Sequence, residues 1–450
     1  MRGKPDIQNP HRRQKTILKP PPDRPPPATW RQTVFQTASR THFVDKTAAL
    51  TIPPFQTASR TMNITIVAPF CSLPNEPYFN RFRYLAERLA ERHDVLLITS
   101  NFRHHDKTFR RPEDAAAASE GRLKVMLLAE DGYRKNVSPA RLKSHRTFVK
   151  NLERWLQNCP PYSQDVVYSA YPLMGSNILL GQHKARLGFK LITDVQDVWP
   201  ESFSAVLPFI KKLPPRRLPF ARRADRAYAC ADGLIAVSDS YLARARAANP
   251  DVPAETVYIG ADFGEIAAIP PHRFAERKTR LFYLGTLSHS YDVETVCQGV
   301  RLLAAAGETV ELHICGGGPD LARLQQKFSD GGIIFHGYLP YREMMSLAKG
   351  CDIAVNPIHS YAMQSVTNKL SDYMALQKPI LNSQQNPEVH RLLNLLPHEH
   401  YRSGNGADFA AAYRRLTHNR QAPVQRDEIA RRFDRDTAYR RIIAMIEGFV

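Results

Sequence analysis

The residues with the clearest capacity for chemistry lie between Ser365 and Leu381. Asn368 and Lys369 fall in the first turn of a stretch patterned as a helix, and Asp372 follows one turn later. A cation at a helix N-terminus opposes the macrodipole unless an anion sits there too. Lys369 therefore points to a bound anion. Free backbone amides and its ammonium would hold a diphosphate, while Asp372 would accept hydrogen bonds from ribose hydroxyls. The plain alternative is a surface helix whose lysine pairs with Asp372 or a neighbouring acid. The helix itself is read from Val366, Leu370, Tyr373 and Met374, which share one face. Ser365 or Thr367 would cap its start, and Pro379 forbids its continuation, so Lys378-Pro379 leads straight into a strand.

Elements that could position such a helix occur in two series. Residues 63–69 predict a strand, 78–92 an amphipathic helix and 94–99 a second strand, a unit that implies a parallel sheet. Further strands are expected at 123–128, 165–169, 189–193 and 233–237, giving a doubly wound domain over 62–265. After a crossover and two prolines within 269–273, the pattern restarts with strands at 280–285, 310–315, 333–336, 353–356 and 379–382. A second domain of the same class, 266–430, is expected, with a C-terminal helix over 431–450 that could pack back on the first domain. Ligands of doubly wound sheets bind beyond the carboxyl ends of the strands. There the second domain carries Gly285, Thr286 and His289, then Gly316 and Gly317, then Tyr338. Glycine at such places lets backbone approach a nucleotide, or simply makes a tight strand-to-helix turn. In the first domain Asp194 and Asp197 follow a strand and are the polar candidates for catalysis, unless Asp197 caps the helix that starts near Pro200.

The chain has 450 residues, 43% of them apolar, and a formal charge of +19. That charge is spread among 43 acids, so nucleic acid, an anionic membrane and phosphorylated substrates all remain partners in principle. Nucleic acid is disfavoured, because neither a known module nor an aromatic-interleaved basic groove is present. The six cysteines form no C-x-x-C pair, which argues against zinc and a disulfide framework and for a reducing cytoplasm. No run approaches 18 apolar residues. Residues 1–61 hold 10 of the 34 prolines and 11 Lys or Arg against three Asp, so disorder is expected there. Phe35-Gln-Thr-Ala-Ser-Arg-Thr41 recurs at 55–61, just before Met62, which suggests a translated upstream region ahead of the working protein. Lys211, Lys212, Arg216, Arg217, Arg222 and Arg223 interleave with Leu213, Leu218 and Phe220 and would suit an anionic bilayer, or merely a solvated basic helix.

Gln196-Asp-Val-Trp-Pro-Glu-Ser202, Ala231-Asp-Gly-Leu-Ile-Ala-Val-Ser238, Leu284-Gly-Thr-Leu, Ile314-Cys-Gly-Gly-Gly-Pro-Asp and Phe335-His-Gly-Tyr-Leu-Pro stand in order along the chain. Together they resemble the family 4 retaining glycosyltransferases of the GT-B fold, especially bacterial members that build surface polysaccharides. The resemblance implies two Rossmann-like α/β domains facing a cleft and a nucleotide-sugar donor in the second domain. It also implies a glycan or lipid-linked acceptor in the first, with no cofactor or obligatory metal. Asp197 matches the signature acid and would orient the acceptor, while the leaving phosphate takes the acceptor proton. The family's paired acids fall on Gln364 and Asp372, so the first becomes an amide. Ser288-His289-Ser290-Tyr291-Asp292 stands where Arg and Lys are usual, leaving the diphosphate mainly to Lys369 with His289 as helper. The glycine-rich turn after the first strand is replaced by residues 71–77. A nucleotide-sugar epimerase of the same fold is the nearest enzymatic alternative.

Overall fold

In the computed structural model of the protein, the described residues are 60–450 except 75, 77, 78, 137, 203–217, 330, 331, 363, 364, 419–421 and 450. The expectation of a disordered extension falls almost wholly outside them. Arg60–Val450 forms one compact unit.

The first domain runs β1 (Asn63–Val67), α1 (Arg81–Ala90), β2 (Asp94–Ser100), α2 (Pro112–Ala117) and β3 (Leu123–Leu128). It continues through α3 (Pro139–Asn158), β4 (Val166–Tyr171), α4 (Met174–Leu187) and β5 (Lys190–Val195). α5 (Ala221–Ala229), β6 (Gly233–Ala236), α6 (Asp239–Arg246) and β7 (Ala254–Thr256) complete it. All seven strands are parallel, in the order β3-β2-β1-β4-β5-β6-β7. Every residue of β4 is buried, as expected of a central parallel strand covered on both faces. Side-chain caps set the helix starts: Asn80 accepts from the amides of Phe82 and Arg83, and Ser138 from that of Arg141 ahead of α3.

The chain then enters the second domain through α7 (Phe263–Ala268), β8 (Thr279–Leu284), α8 (Val293–Ala305), β9 (Val310–Cys315) and α9 (Leu321–Phe328). β10 (Ile333–Gly337), α10 (Tyr341–Gly350), β11 (Ile353–Asn356), α11 (Asn368–Leu376) and β12 (Ile380–Asn382) follow. The chain ends with α12 (Pro387–Leu393), β13 (His398–His400), α13 (Gly406–His418), α14 (Arg426–Phe433) and α15 (Arg435–Glu447). This sheet is also parallel, in the order β10-β9-β8-β11-β12-β13. The three-residue edge strands β7 and β13 escape the sequence patterns because they are too short to show a period.

The last helix returns to the first domain. At the crossing point the Ala261 amide donates to the Phe433 carbonyl, and the Arg435 amide to the Ala261 carbonyl. Beyond it, Tyr439, Ile442 and Ile446 of α15 join Ile64, Ile66, Leu85 and Leu97 in one apolar cluster. The carboxyl ends of the two sheets face each other. Glu388, at the start of α12 and buried, accepts from the amides of Asp239 and Ser240 at the start of α6 and from the Tyr258 hydroxyl. Arg391 adds an ion pair to Asp239 at 3.0 Å. An anion at the N-terminus of α6 thus comes from the opposite domain.

Candidate active site

The loops beyond β8, β9 and β11 meet the start of α11. α11 begins at Asn368, with Thr367 at the N-cap position. Among the described residues no side chain caps it, no acid occupies its first turn, and the Thr367 hydroxyl at the N-cap position is buried without a hydrogen-bond partner. Those unfilled positions are what a helix N-terminus presents to an external anion.

Lys369 points into this space. It is 8% exposed, and its Nζ donates to the Tyr283 hydroxyl at 3.1 Å and lies 3.5 Å from the centre of the Tyr291 ring. Among the described residues no carboxylate pairs with it, and burial holds its pKa well below the ordinary lysine range. The surface pairing with Asp372 is therefore not what the structure shows. Glycine at two positions makes room for the ammonium and whatever it meets. Gly285, at φ 130°, would place a Cβ 3.0 Å from Lys369 Nζ, and Gly316, at φ 138°, would drive one to 1.9 Å from the Gly285 carbonyl oxygen.

Asp372 turns the other way along the same helix. Its carboxylate accepts from the Tyr341 hydroxyl at 2.9 Å, and burial pushes its pKa up to about 6, with Tyr341 and Arg435 opposing. Around this centre Thr286, His289, Tyr338 and Asn368 are exposed, and Gly317 has open space at its α-carbon. The Thr286 carbonyl is held by the Tyr283 hydroxyl, and that of His289 by the Tyr361 hydroxyl. Gln364 lies outside the described residues.

On the facing domain, Asp194 and Asp197 have different fates. Asp194 is fully buried and forms an ion pair with Arg81 at 2.7 Å, while Tyr168 and Gln196 also donate to it. Arg81 itself is 3% exposed and sits over the Tyr439 ring of α15. Asp197 is half-buried, and donors of its own loop reach both oxygens: the Val198 amide, the Ser202 hydroxyl and the Trp199 indole. It holds Trp199, whose ring stacks on His145 with Arg141 4.8 Å from its centre. Arg222 and Arg223 are exposed on α5, whereas Lys211, Lys212, Arg216 and Arg217 lie outside the described residues.

Sequence reasoning did not find Tyr283 and Tyr291, the rings that cage Lys369, nor Glu388. Each is placed by a contact across more than 70 positions of chain, and no local pattern marks it. Among the described residues no group of His, Cys, Asp or Glu is placed to hold a metal ion, and no helix is long and apolar enough to cross a membrane.

Two family models match the chain, "Glycosyl transferase 4-like domain" over residues 80–260 and "Glycosyl transferases group 1" over 278–419. No curated protein matches it. Among solved structures, the lipopolysaccharide outer core galactosyltransferase WaaB is similar at TM-score 0.57 and 18% identity, covering 86% of this chain and 100% of that one. Anabaena HepE in complex with UDP is similar at TM-score 0.57 and 12% identity, over 86% and 100% of the two chains. Sucrose-phosphate synthase from Thermosynechococcus elongatus reaches 0.59 at 14% identity, over 86% and 98%. These likenesses share one fold, two facing parallel-sheet domains, and the family models cover both of those domains here. The chain is a glycosyltransferase of the GT-B fold, with a 4-like N-terminal domain and a group 1 C-terminal domain.

Proposed function

We propose that the protein transfers a sugar, with retention, from a nucleotide-sugar donor to a glycan or lipid-linked acceptor of a cell-surface polysaccharide, at the cytoplasmic face of the membrane. The observation that carries this reading is Lys369, a buried ammonium with no carboxylate partner among the described residues, at an uncapped helix N-terminus beside two glycines. A donor diphosphate supplies the missing anion. As the sugar leaves, charge grows on the diphosphate, and Lys369 with the first amides of α11 stabilises it without reorganising. Asp372 accepts from the ribose hydroxyls. On the other domain Asp197 acts through Trp199, orienting the loop against which the acceptor rests. That similar folds hold UDP and UDP-glucose supports a uridine nucleotide as the first donor to test.

A panel of nucleotide sugars should include one that raises the melting temperature, by about 2.7 kcal/mol of stabilisation at one hundred times its Kd. The same donor should yield a transferred sugar of unchanged anomeric configuration when a glycan or lipid-linked acceptor is added. Epimerised donor formed without acceptor would overturn the reading.

A further inference from the structure

The residues around Lys369 leave unassigned a hollow in the first domain. α3, the β4–α4 turn and the start of α5 enclose about 320 Å³, walled by Leu142, Val149, Leu173, Met174, Trp199 and Phe220. Such a volume lies at the lower end of the roughly 300–1,000 Å³ of small-molecule sites. Two of the walls stay in water, Leu142 at 51% exposure and Phe220 at 54%. Phe220 does so at φ 69°, a left-handed conformation that disfavours a bulky residue and holds its ring at the mouth. The rim is basic. Arg146, Lys150 and Arg223 line it together with Glu153, and none of the three cations has a carboxylate partner among the described residues.

An aromatic row leads from this hollow to a second one. Trp199 stacks on His145, and the His145 ring lies 5.5 Å from that of Phe70. Phe70 lines a polar hollow of about 200 Å³ with Ser72, Asn80, His104 and Arg110, beyond the carboxyl ends of β1 and β2. An apolar slot lined by three cations without a carboxylate partner among the described residues thus adjoins a polar hollow beyond the carboxyl ends of β1 and β2. We propose that the slot takes the head-proximal hydrocarbon of a lipid joined through phosphate to the acceptor sugar. Arg146, Lys150 and Arg223 meet the phosphate, and the polar hollow faces the sugar. The proposal rests on the glycosyltransferase reading and narrows its acceptor to the lipid-linked class.

Binding to the full chain is measured for farnesyl diphosphate, inorganic diphosphate and farnesol, with circular dichroism as the control for folding. Farnesyl diphosphate should bind at least about tenfold more tightly than either fragment, since each buried methylene adds affinity and the cations add theirs. Leu142→Glu, at an exposed position of α3, with the half-buried Val149→Thr, should abolish the gain from the tail. Arg146→Ala with Lys150→Ala and Arg223→Ala should abolish the gain from the phosphate. Both gains should survive in Lys369→Met, which separates this slot from the donor site. Equal affinity for farnesyl diphosphate and inorganic diphosphate would overturn the proposal. So would binding to phosphatidylglycerol vesicles that the cation variants weaken while the tail variants bind farnesyl diphosphate as wild type does. Nucleotide-sugar binding is followed in the same variants, so loss of donor recognition in wild type would sink the donor reading while leaving the slot standing or falling on its own.

Discussion

Burial among Tyr283, Tyr291 and Gly285, with no counter-ion among the described residues, disfavours Lys369 as a cation. The sign of its pH dependence follows. Folding lowers its pKa, so the unfolded chain binds more protons and the stability of the empty enzyme rises with pH between the lowered value and the ordinary lysine value. On the proposed reading a bound diphosphate would restore the charge, so donor binding should take up a proton in that window and weaken as pH rises. Calorimetry in buffers of different ionisation enthalpy should register this uptake in wild type and none in Lys369→Met. The same substitution should cost roughly 2–4 kcal/mol in the transition state, about a 30- to 1,000-fold loss of turnover, and leave the melting temperature unchanged or raised. Asp372 behaves in the opposite sense. With its pKa pushed up to about 6, it would be protonated below that value and, on the proposed reading, would accept ribose hydroxyls poorly. An acid limb near pH 6 in kcat/KM, lost in Asp372→Asn together with a raised donor KM and a nearly unchanged kcat, is the expected profile.

At the scale of elements, the buried ion pair of Arg81 with Asp194 ties together distant parts of the first domain. Arg81 on α1 reaches Asp194 on β5, the carbonyls of Val257 and Tyr258 after β7, and the Tyr439 ring on α15. Removing the cation alone strands a buried carboxylate, so Arg81→Ala should lower unfolding free energy by about 3–5 kcal/mol. Arg81→Met combined with Asp194→Leu should recover most of that loss in guanidinium unfolding; a wild-type midpoint for Arg81→Ala would show that the pair is unimportant. Asp197 has a different job in its loop. Asp197→Ala frees the Trp199 indole and should raise the acceptor KM while leaving the affinity for donor unchanged, and a parallel loss of donor affinity would contradict this division.

The described residues form two parallel sheets, joined by the crossing at Ala261 and Phe433 and by Glu388 at the start of α6. Among the described residues, all strands and helices lie within Asn63–Glu447. A chain starting at Met62 should therefore melt and turn over as the 450-residue chain does. Mass spectrometry of the protein from its native source would show whether residues before Met62 are translated at all.

Much of this architecture was legible in the residues taken one after another. Buried parallel strands are nearly continuous apolar runs, so β1 to β6 and β8 to β12 announce themselves, as do the turns after them. The Lys369 helix was legible for the same reason: an apolar face, a proline stop and a cation where the macrodipole disfavours one are all local properties. Its length was not, since α11 starts only at Asn368 and ends where Gln377 turns to φ 53°. What the tertiary structure alone decided was which polar groups are spent inside the fold and which are left for a ligand. Asp194 and Asp197 sit three residues apart after the same strand, yet one is consumed by Arg81 and the other by Trp199 and Ser202. Lys369 and Asp372 share a helix and do not pair, because Tyr283 and Tyr341, from elements far apart in the chain, draw them in different directions. Periodicity reports which face of an element is buried; the partner that meets a given side chain comes from a distant segment, and only the folded chain brings the two together.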